Sequence, residues 1–313
     1  MRNLSQCPIC NAEKLAVLYT GYTHRNLADS SLWPVVQCGD CTHGFMSPQP
    51  EWNDLASYYS ASYEAYDTDH GNNSVSDAIT VESARQQGEF RHLALPISGK
   101  SLLDVGCGGG YFLRIARQLG AVVQGVEPST AGSRQTSRQD IPVFHGMLDD
   151  FVASVSGRQF DIITANHVLE HAPDPIVTLR QMKSLLAPGG FIWISVPNAD
   201  CFFSRKLGKH WHSADLPYHL HQFSTASLML AGKSAGLSVR KSYTYSLPAA
   251  TAASIRHYLR RSFFVPQRLT ERLDCLNQSF ALWCAQYLDK RGAGEAIVIE
   301  FEAGQMPSCQ ASK

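Results

Sequence analysis

Three glycines and an acid form a loop suited to binding a small polar ligand. The segment 102–112 reads LLDVGCGGGYF, with Asp104 near the end of an apolar run and Gly106, Gly108 and Gly110 at alternate positions after it. Glycines let the backbone approach a ligand where a Cβ would collide, and the helix predicted to follow offers free amide groups at its start. The Asp104 carboxylate is placed to accept a hydrogen bond from an ammonium group.

A second acid ends the next apolar run. The sequence reads GVEPS there, which places Glu127 at the tip of the neighbouring predicted strand. A carboxylate in that place can accept both ribose hydroxyl protons of a nucleoside. A dinucleotide loop would prefer GxGxxG around a pyrophosphate, whereas this loop is GxGxG preceded by Asp. The pattern therefore favours a nucleoside ligand without phosphate.

Four cysteines lie in two CxxC pairs near the N-terminus. Cys7 and Cys10 form CPIC, and Cys38 and Cys41 form CGDC, which gives C-x2-C-x27-C-x2-C. Four thiolates close a tetrahedral zinc site and leave no open position, so a structural Zn²⁺ is predicted. No apolar run of signal-peptide length precedes the pairs, which favours metal ligands over disulfides and a cytoplasmic location.

Histidines gather after two of the predicted strands. ANHVLEH contains His167 and His171, and the segment 201–223 contains His210, His212, His219 and His221. Histidine is the usual general base near neutral pH, and we take His167 and His219 as the catalytic candidates. Tyr63 and Tyr59, in YYSASYEAY, are the runners-up. A zinc site in HWHSADLPYHLH is a weaker alternative because that segment lacks a firm ligand spacing.

The elements that must position these residues alternate between strand and helix from Lys100 onward. The predicted strands are SLLDVG, AVVQGVE, PVFHG, FDIITANHVLE, FIWISVPN, LSVRKSYTYS and EAIVIEFEAG. The helix DPIVTLRQMKSLLAPGG is expected to stop at its Pro-Gly-Gly. The alternation predicts an α/β fold with a mostly parallel sheet covered on both faces.

Four of these motifs together resemble a known family. LLDVGCGGGYF, GVEPS, FDIITANHVLEHAPDP and LAPGGFIWISVPN occur in order, over about residues 95–245, as in Rossmann-like class I S-adenosylmethionine (SAM)-dependent methyltransferases. The chain is most similar to the small-molecule group that includes ubiquinone and menaquinone methyltransferases. The resemblance implies SAM as cofactor and a seven-stranded sheet whose final, antiparallel strand is EAIVIEFEAG.

The resemblance also implies roles for individual residues. Asp104 and the glycine loop would hold the methionine portion of SAM, and Glu127 the ribose. The adenine would be flanked by Met147 and Leu148, with Asp149 near its amino group. Asn166 and His167 would lie beside the sulfonium end.

The predicted organisation has three parts. Residues 1–50 form a zinc ribbon, residues 51–95 a linker and helical cap, and residues 96–313 the methyltransferase domain. Two insertions, 201–223 and 247–293, are expected to form a substrate cap.

The acceptor is expected to be a small molecule, with a sugar or glycan precursor preferred and O- or C-methylation left open. The ribbon and the tyrosines resemble those of sugar methyltransferases more than those of rRNA methyltransferases, and the ribbon has few basic residues. Equal numbers of basic and acidic residues, 27 each, do not favour nucleic acid as a partner. No apolar stretch is long enough to span a membrane. An RNA-modifying enzyme, a quinone or aromatic O-methyltransferase, and a non-catalytic cofactor-binding regulator remain alternatives, and the oligomeric state is left open.

Overall fold

The computed structural model describes most of the chain, and the two longest internal stretches outside the description are 55–95 and 271–282. The described residues are 1–23, 25, 29–51, 54, 96–246, 252, 256, 259–260, 263–266, 268–270, 283 and 285–304. The predicted roles of Tyr59 and Tyr63, and most of the predicted linker and of the insertion 247–293, lie outside them.

The strands and helices follow the chain in a regular order. The strands are β1 (Leu15–Gly21), β2 (Trp33–Cys38), β3 (Gly44–Met46), β4 (Ser101–Val105), β5 (Val122–Glu127), β6 (Val143–His145), β7 (Phe160–Asn166), β8 (Leu186–Pro197), β9 (His221–Gln222), β10 (Leu237–Tyr245) and β11 (Ala296–Ala303). The helices are α1 (Tyr111–Gln118), α2 (Thr130–Ser137), α3 (Leu148–Ser154), α4 (Pro175–Ser184), α5 (Phe202–Leu207) and α6 (Thr225–Ser234). Short 3₁₀ turns cover Leu169–His171, Gly208–His210 and His212–Ala214.

The large sheet has seven strands in the order β10-β11-β8-β7-β4-β5-β6. The pairs β4–β5, β4–β7 and β5–β6 are parallel. β4 and β7 lie in the middle of the sheet, and most of their residues are buried, as is usual for a parallel strand covered on both faces. The prediction of an α/β, Rossmann-like, mostly parallel seven-stranded sheet is therefore confirmed.

The register brings the predicted acids to one edge of this sheet. Asp104 pairs with Gly125 on one side and Thr164 on the other, and Glu127 pairs with His145. Because all these strands run in the same direction, their carboxyl ends meet at the same edge. That edge is the usual ligand-binding edge of an open parallel sheet.

Two predicted boundaries are wrong. The strand expected to run to Glu170 ends at Asn166, because His167 has a left-handed backbone at φ 55°, and Leu169–His171 form a 3₁₀ turn.

The helix α4 ends at Ser184, before the Pro-Gly-Gly that was expected to stop it, and β8 begins at Leu186, five residues ahead of the predicted strand FIWISVPN. A Cβ on Gly190 would lie 2.7 Å from the Asp161 carbonyl oxygen of β7. The glycine therefore lets β8 start early and run close along β7.

A second, four-stranded sheet has the order β1-β2-β3-β9 and is antiparallel throughout. The first three strands come from the predicted ribbon, and β9 comes from the predicted insertion 201–223. Gly44 pairs with Gln222, and Phe45 with His221. The sequence did not predict this pairing, because the partners lie far apart along the chain.

The chain divides into two compact units that do not follow chain order. Unit 1 comprises Met1–Ala56, His167–Leu179 and Ile194–Glu300. Unit 2 comprises Ser57–Asn166, Arg180–Trp193 and Phe301–Lys313. The boundaries drawn at residues 50 and 95 stay a prediction. No helix among the described residues is long and apolar enough to cross a bilayer.

Candidate functional site

Asp104, in unit 2, is a buried carboxylate with one hydroxyl donor. Its side chain is 4% exposed, and Thr164 Oγ1 donates a hydrogen bond of 2.6 Å to its Oδ1. Burial raises the pKa of Asp104 to about 7; the Thr164 hydrogen bond acts in the opposite direction, and the Glu127 charge raises the pKa further. No lysine or arginine of the described residues pairs with Asp104. A cationic ligand group would therefore be attracted to this carboxylate.

Glu127 joins the glycine loop to the start of α2. Its Oε2 accepts from the Gly108 amide and its Oε1 from the Ser129 amide, both at 2.8 Å. A carboxylate oxygen has two lone pairs, so each oxygen keeps the capacity to accept once more. Glu127 thus holds the loop in shape and can still accept from two hydroxyl groups.

The glycine loop packs closely against α2 as well as bending sharply. Gly110 has φ 80°, and a Cβ there would lie 2.8 Å from Thr136 Oγ1. The Thr136 hydroxyl donates to the Gly108 carbonyl at 2.9 Å. The sequence pattern was interpreted as room for a ligand. Gly110, however, also allows the loop to pack closely against α2.

The other predicted cofactor residues lie at the same edge of the sheet. Met147, just before α3, is 53% exposed, whereas Leu148 is buried. Asn166 is exposed and ends β7. Met147 follows β6 by two residues, so it lies near the strand end at which Glu127 pairs with His145. Unit 2 therefore brings together the predicted cofactor residues Asp104, Glu127, Met147, Leu148, Asn166 and the glycine loop.

The four predicted zinc ligands meet in unit 1. The Sγ atoms of Cys7, Cys10, Cys38 and Cys41 all lie within 4.8 Å of one another, and two of the pairs are 3.5 Å apart. A tetrahedron with Zn–S bonds of about 2.3 Å has S···S edges of roughly 3.8 Å, so the cluster has the size of a zinc site.

The two CxxC turns have equivalent backbone geometry. The Ile9 amide donates to Cys7 Sγ at 3.5 Å, and the Asp40 amide to Cys38 Sγ at 3.4 Å. Both turns end in a left-handed residue, Asn11 at φ 61° and Thr42 at φ 59°. The repeated amide-to-sulfur geometry suits thiolates bound to a cation.

Glu170 is the centre of a polar cluster in unit 1. Its side chain is fully buried, and its Oε1 accepts from His167 Nδ1 at 3.1 Å. Burial alone would raise the pKa of Glu170, but the hydrogen bond from His167 and the charges of the neighbouring histidines lower it to about 2. Glu170 therefore carries a negative charge inside the fold.

His167 is half-exposed and lies in an unusual backbone conformation. Its side chain is 40% exposed, and its φ is 55°. Burial lowers the pKa of His167, while the hydrogen bond to Glu170 and the charges of Glu170 and Asp215 raise it above its ordinary value overall. A non-glycine residue in the left-handed region is uncommon and often lies at a functional site.

His219, the other predicted base, is buried between two carboxylates. Its Nδ1 is 2.8 Å from the Ser213 carbonyl oxygen, to which it donates, so Nε2 faces Asp215 Oδ2 at 3.8 Å and Glu170 Oε1 at 3.9 Å. Burial and the charge of His171 lower the pKa of His219 to about 4, against the opposing effect of the carboxylates.

Arg25 from the ribbon closes the other side of the cluster. Its guanidinium donates to both carboxylate oxygens of Asp215, with distances from 2.6 to 3.3 Å, and stacks 4.7 Å from the centre of the Tyr218 ring. The backbone of Asp215 is also left-handed, at φ 37°. Charged groups from the ribbon and from the segment 201–223 therefore meet around His219.

Sequence reasoning did not single out several of these residues. Four of them were not named as site residues: Thr136, Thr164, Glu170 and Asp215. The i, i+3 spacing of His167 and Glu170 could have predicted their contact. His43 is another residue that the sequence did not single out: its Nε2 lies 3.1 Å from His221 Nδ1, and its Nδ1 lies 3.3 Å from the Ser227 hydroxyl.

Comparison with known families decides the class of protein. The profile described as "Methyltransferase domain" matches residues 82–242, just over half of the chain. The chain belongs to this methyltransferase family. This agrees with the class of protein that the sequence predicted.

Curated relatives of this methyltransferase share its central region. Ubiquinone biosynthesis O-methyltransferase of Aeromonas salmonicida is 31% identical over 153 residues, which are 45% of this chain and 64% of the relative. The protein of the same name from Thiobacillus denitrificans is 29% identical over 154 residues, which are 45% of this chain and 66% of the relative. The chain thus spans a little under two thirds of each relative.

Solved structures with similarity to this methyltransferase include two SAM-dependent methyltransferases. The one from Mesorhizobium loti is 16% identical, with a TM-score of 0.47 over 71% of this chain and 99% of that chain. The one from Archaeoglobus fulgidus is also 16% identical, with a TM-score of 0.47 over 71% of this chain and 94% of that chain.

Proposed function

We propose that this enzyme transfers the methyl group of SAM to a hydroxyl oxygen of a small molecule. The observation that carries the proposal is the contact between His167 and Glu170. His167 is the residue after Asn166 in the chain, and Asn166 ends the strand beside β4. A hydroxyl acceptor must lose a proton during transfer, so a fixed histidine next to a proposed cofactor residue suits O-methylation.

The cofactor is proposed to bind at the carboxyl edge of β4, β5, β6 and β7. Asp104 would accept from the ammonium of the methionine portion, because it is buried without a cationic partner among the described residues. Glu127 would accept from the ribose hydroxyls with its remaining lone pairs. Met147, Leu148 and Asn166 keep the roles that the sequence gave them.

His167 is the proposed general base. A carboxylate only accepts hydrogen bonds, so Nδ1 of His167 must donate to Glu170, and Nε2 is then the atom that can take a proton. Glu170 fixes the ring and its tautomer in the way that a carboxylate orients a catalytic histidine in other enzymes. His219 and Tyr63 stay predictions as further catalytic residues.

The acceptor is proposed to be a ring hydroxyl. The relatives named ubiquinone biosynthesis O-methyltransferase favour an aromatic hydroxyl, which matches one of the alternatives drawn from the sequence. The sugar or glycan hydroxyl remains the second candidate, because the four-cysteine ribbon resembles that of sugar methyltransferases. Both acceptors lose a hydroxyl proton, so the proposed chemistry is common to them.

The RNA alternative has less support, because both arginines of the ribbon have other contacts. Arg2 donates to Gln49 and to the Pro173 carbonyl, and Arg25 is paired with Asp215. Phosphate binding would need such charges to face the nucleic acid.

The ribbon is proposed to hold one structural Zn²⁺. The four sulfur atoms lie at distances that fit a zinc ion. In each CxxC turn a backbone amide also points at the first sulfur, as expected for a thiolate ligand. Four thiolate ligands leave no open position, so the ion would stabilise the ribbon and take no part in methyl transfer.

The experiment is methyl transfer from SAM labelled in its methyl group to catechol-type phenols and to nucleotide sugars. We expect the label on a hydroxyl oxygen, and His167→Gln to lower kcat by about a hundredfold or more while the affinity for S-adenosylhomocysteine is unchanged. Label on a nitrogen or carbon atom, or full activity of His167→Gln, would contradict the proposal. The class of acceptor that is labelled decides between the aromatic and the sugar candidate.

A further inference from the structure

Glu170, His171 and His219 form a compact group of possible metal ligands inside unit 1. One ligand atom from each residue lies within 4.8 Å of the others. Glu170 and His219 are buried, and the His171 and His219 rings meet edge to face with their centres 4.8 Å apart. This group shares no residue with the four-cysteine cluster.

Backbone carbonyls orient both histidine rings of this group. His171 Nδ1 lies 2.8 Å from the Tyr218 carbonyl oxygen, and His219 Nδ1 lies 2.8 Å from the Ser213 carbonyl oxygen. A carbonyl only accepts, so both rings carry their proton on Nδ1 and present Nε2 as the basic atom. Metal-binding histidines are usually fixed in this way, with the non-ligating ring nitrogen donating to a carbonyl or carboxylate.

One carboxylate oxygen of Glu170 has no hydrogen-bond partner in the part of the chain that the structure describes. Oε1 accepts from His167, but Oε2 is buried and makes no hydrogen bond to any described residue. Leaving a charged acceptor buried and unpaired costs more free energy than leaving a neutral acceptor unpaired. An unpaired oxygen on a buried carboxylate whose other oxygen lies near the rings of His167 and His219 points to a bound cation that satisfies it.

The charges around the group also favour a cation. His219 Nε2 lies between the carboxylates of Glu170 and Asp215, at 3.9 and 3.8 Å. The guanidinium of Arg25 already pairs with the Asp215 carboxylate, so the negative charge that favours a cation is that of Glu170. The basic nitrogen of a neutral imidazole gains nothing from two nearby carboxylates unless a proton or a metal ion lies between them.

We propose that Glu170, His171 and His219 bind a divalent transition-metal ion. Two imidazoles and one carboxylate are a ligand set that zinc and the ions next to it accept, and three protein ligands leave at least one coordination position open. In this site His219 is a ligand and not a base. The metal-binding claim does not depend on the proposed methyl transfer.

The test uses the full chain with its four-cysteine cluster already loaded with zinc. Co²⁺ is titrated in, and visible absorption shows how much binds and whether sulfur is a ligand, since thiolate ligation adds charge-transfer bands. We expect one Co²⁺ per chain with nitrogen and oxygen ligation and without thiolate bands.

Variants locate the ion. His219→Gln, His171→Gln and Glu170→Gln should each weaken Co²⁺ binding by more than about tenfold. His145→Gln, an exposed histidine of unit 2, should bind as the parent does. One retained zinc per chain shows that each variant keeps its folded ribbon, and the two histidine variants test the site if Glu170→Gln does not fold.

The outcomes separate this inference from the proposed reaction. If His171→Gln and His219→Gln lose Co²⁺ binding while the His145→Gln control keeps it, the site is supported whether or not methyl transfer is found. No Co²⁺ bound beyond the zinc, or equal binding by His219→Gln and the parent, overturns it. Methyl transfer to hydroxyls by a protein that binds no Co²⁺ would keep the proposed function and remove this site.

Discussion

At the scale of single residues, the two acids at the sheet edge are held in different ways. Glu127 accepts from two backbone amides, whereas Asp104 accepts from one threonine hydroxyl and faces no described cation. Both acids could be predicted from the sequence, because each ends an apolar run of strand length. Thr164 and Glu170 could not be assigned as readily, because their contacts depend on strand register and on the turn after β7.

The raised pKa of Asp104 predicts a pH-dependent cofactor affinity. In the proposed site the carboxylate form of Asp104 would attract the cofactor ammonium, so below a pKa of about 7 binding would first have to remove a proton. The affinity for S-adenosylhomocysteine should rise from about pH 6 to pH 8, by at most about tenfold per pH unit below the pKa, and calorimetry in matched buffers measures it. Asp104→Asn, which cannot titrate, should bind weakly with a flat profile; a flat profile for the parent would contradict the prediction.

At the scale of elements, the loop between β4 and α1 is fixed by its contact with α2. Gly110 combines a left-handed backbone with close packing on Thr136, whereas Gly99 has a similar φ of 75° and a Cβ added there would meet nothing within 4 Å. The sequence shows the glycine pattern but not which glycine touches a neighbour. A substitution at Gly99 therefore introduces backbone strain alone, whereas one at Gly110 introduces backbone strain and a steric clash.

Gly110→Ala should destabilise unit 2 more than Gly99→Ala does. Both changes carry the left-handed cost of about 1–2 kcal/mol, and Gly110→Ala adds overpacking against Thr136 of about 1–3 kcal/mol. Urea unfolding of both variants gives the difference in the free energy of unfolding. Equal stabilities would show that the loop moves away from α2 at little cost.

The zinc turns also belong to this scale, because each is a local structure that the CxxC spacing predicts. Cys38→Ser should lower the zinc content well below one ion per chain, since it removes a thiolate and leaves three. Metal analysis after dialysis measures the zinc content. Cys201→Ser, at a cysteine outside the cluster, is the matched control and should keep its zinc; zinc retained by Cys38→Ser would exclude the four-thiolate site.

At the scale of the whole molecule, chain order and spatial order differ. The motif series predicted the seven-stranded sheet, because each strand and helix is local in sequence and the connections follow family spacing. The pairing of β3 with β9 was not predictable, because a two-residue strand carries too little pattern to be recognised. The cluster around Glu170 was missed for a related reason. Its members, Arg25 and residues of 167–171 and 213–219, lie far apart along the chain.

The pairing of β3 with β9 predicts an effect of zinc beyond the ribbon. Removing zinc with a chelator should lower the hydrogen-exchange protection of the paired backbone of Phe45 and His221, because β3 follows the second CxxC turn directly. Protection of β4 and β5 in unit 2 should stay unchanged. Protection of β9 that does not respond to zinc removal would show that β9 is held by unit 1 without the ribbon.

The most direct measurement of the central claim is calorimetry of cofactor binding to three proteins. The parent chain should bind S-adenosylhomocysteine with one site per chain. Asp104→Ala and Glu127→Ala should each weaken the affinity by roughly ten- to hundredfold, the cost of one charge-assisted hydrogen bond or more. Equal affinity in all three proteins would contradict the account, because the cofactor would then bind away from the edge formed by β4 and β5.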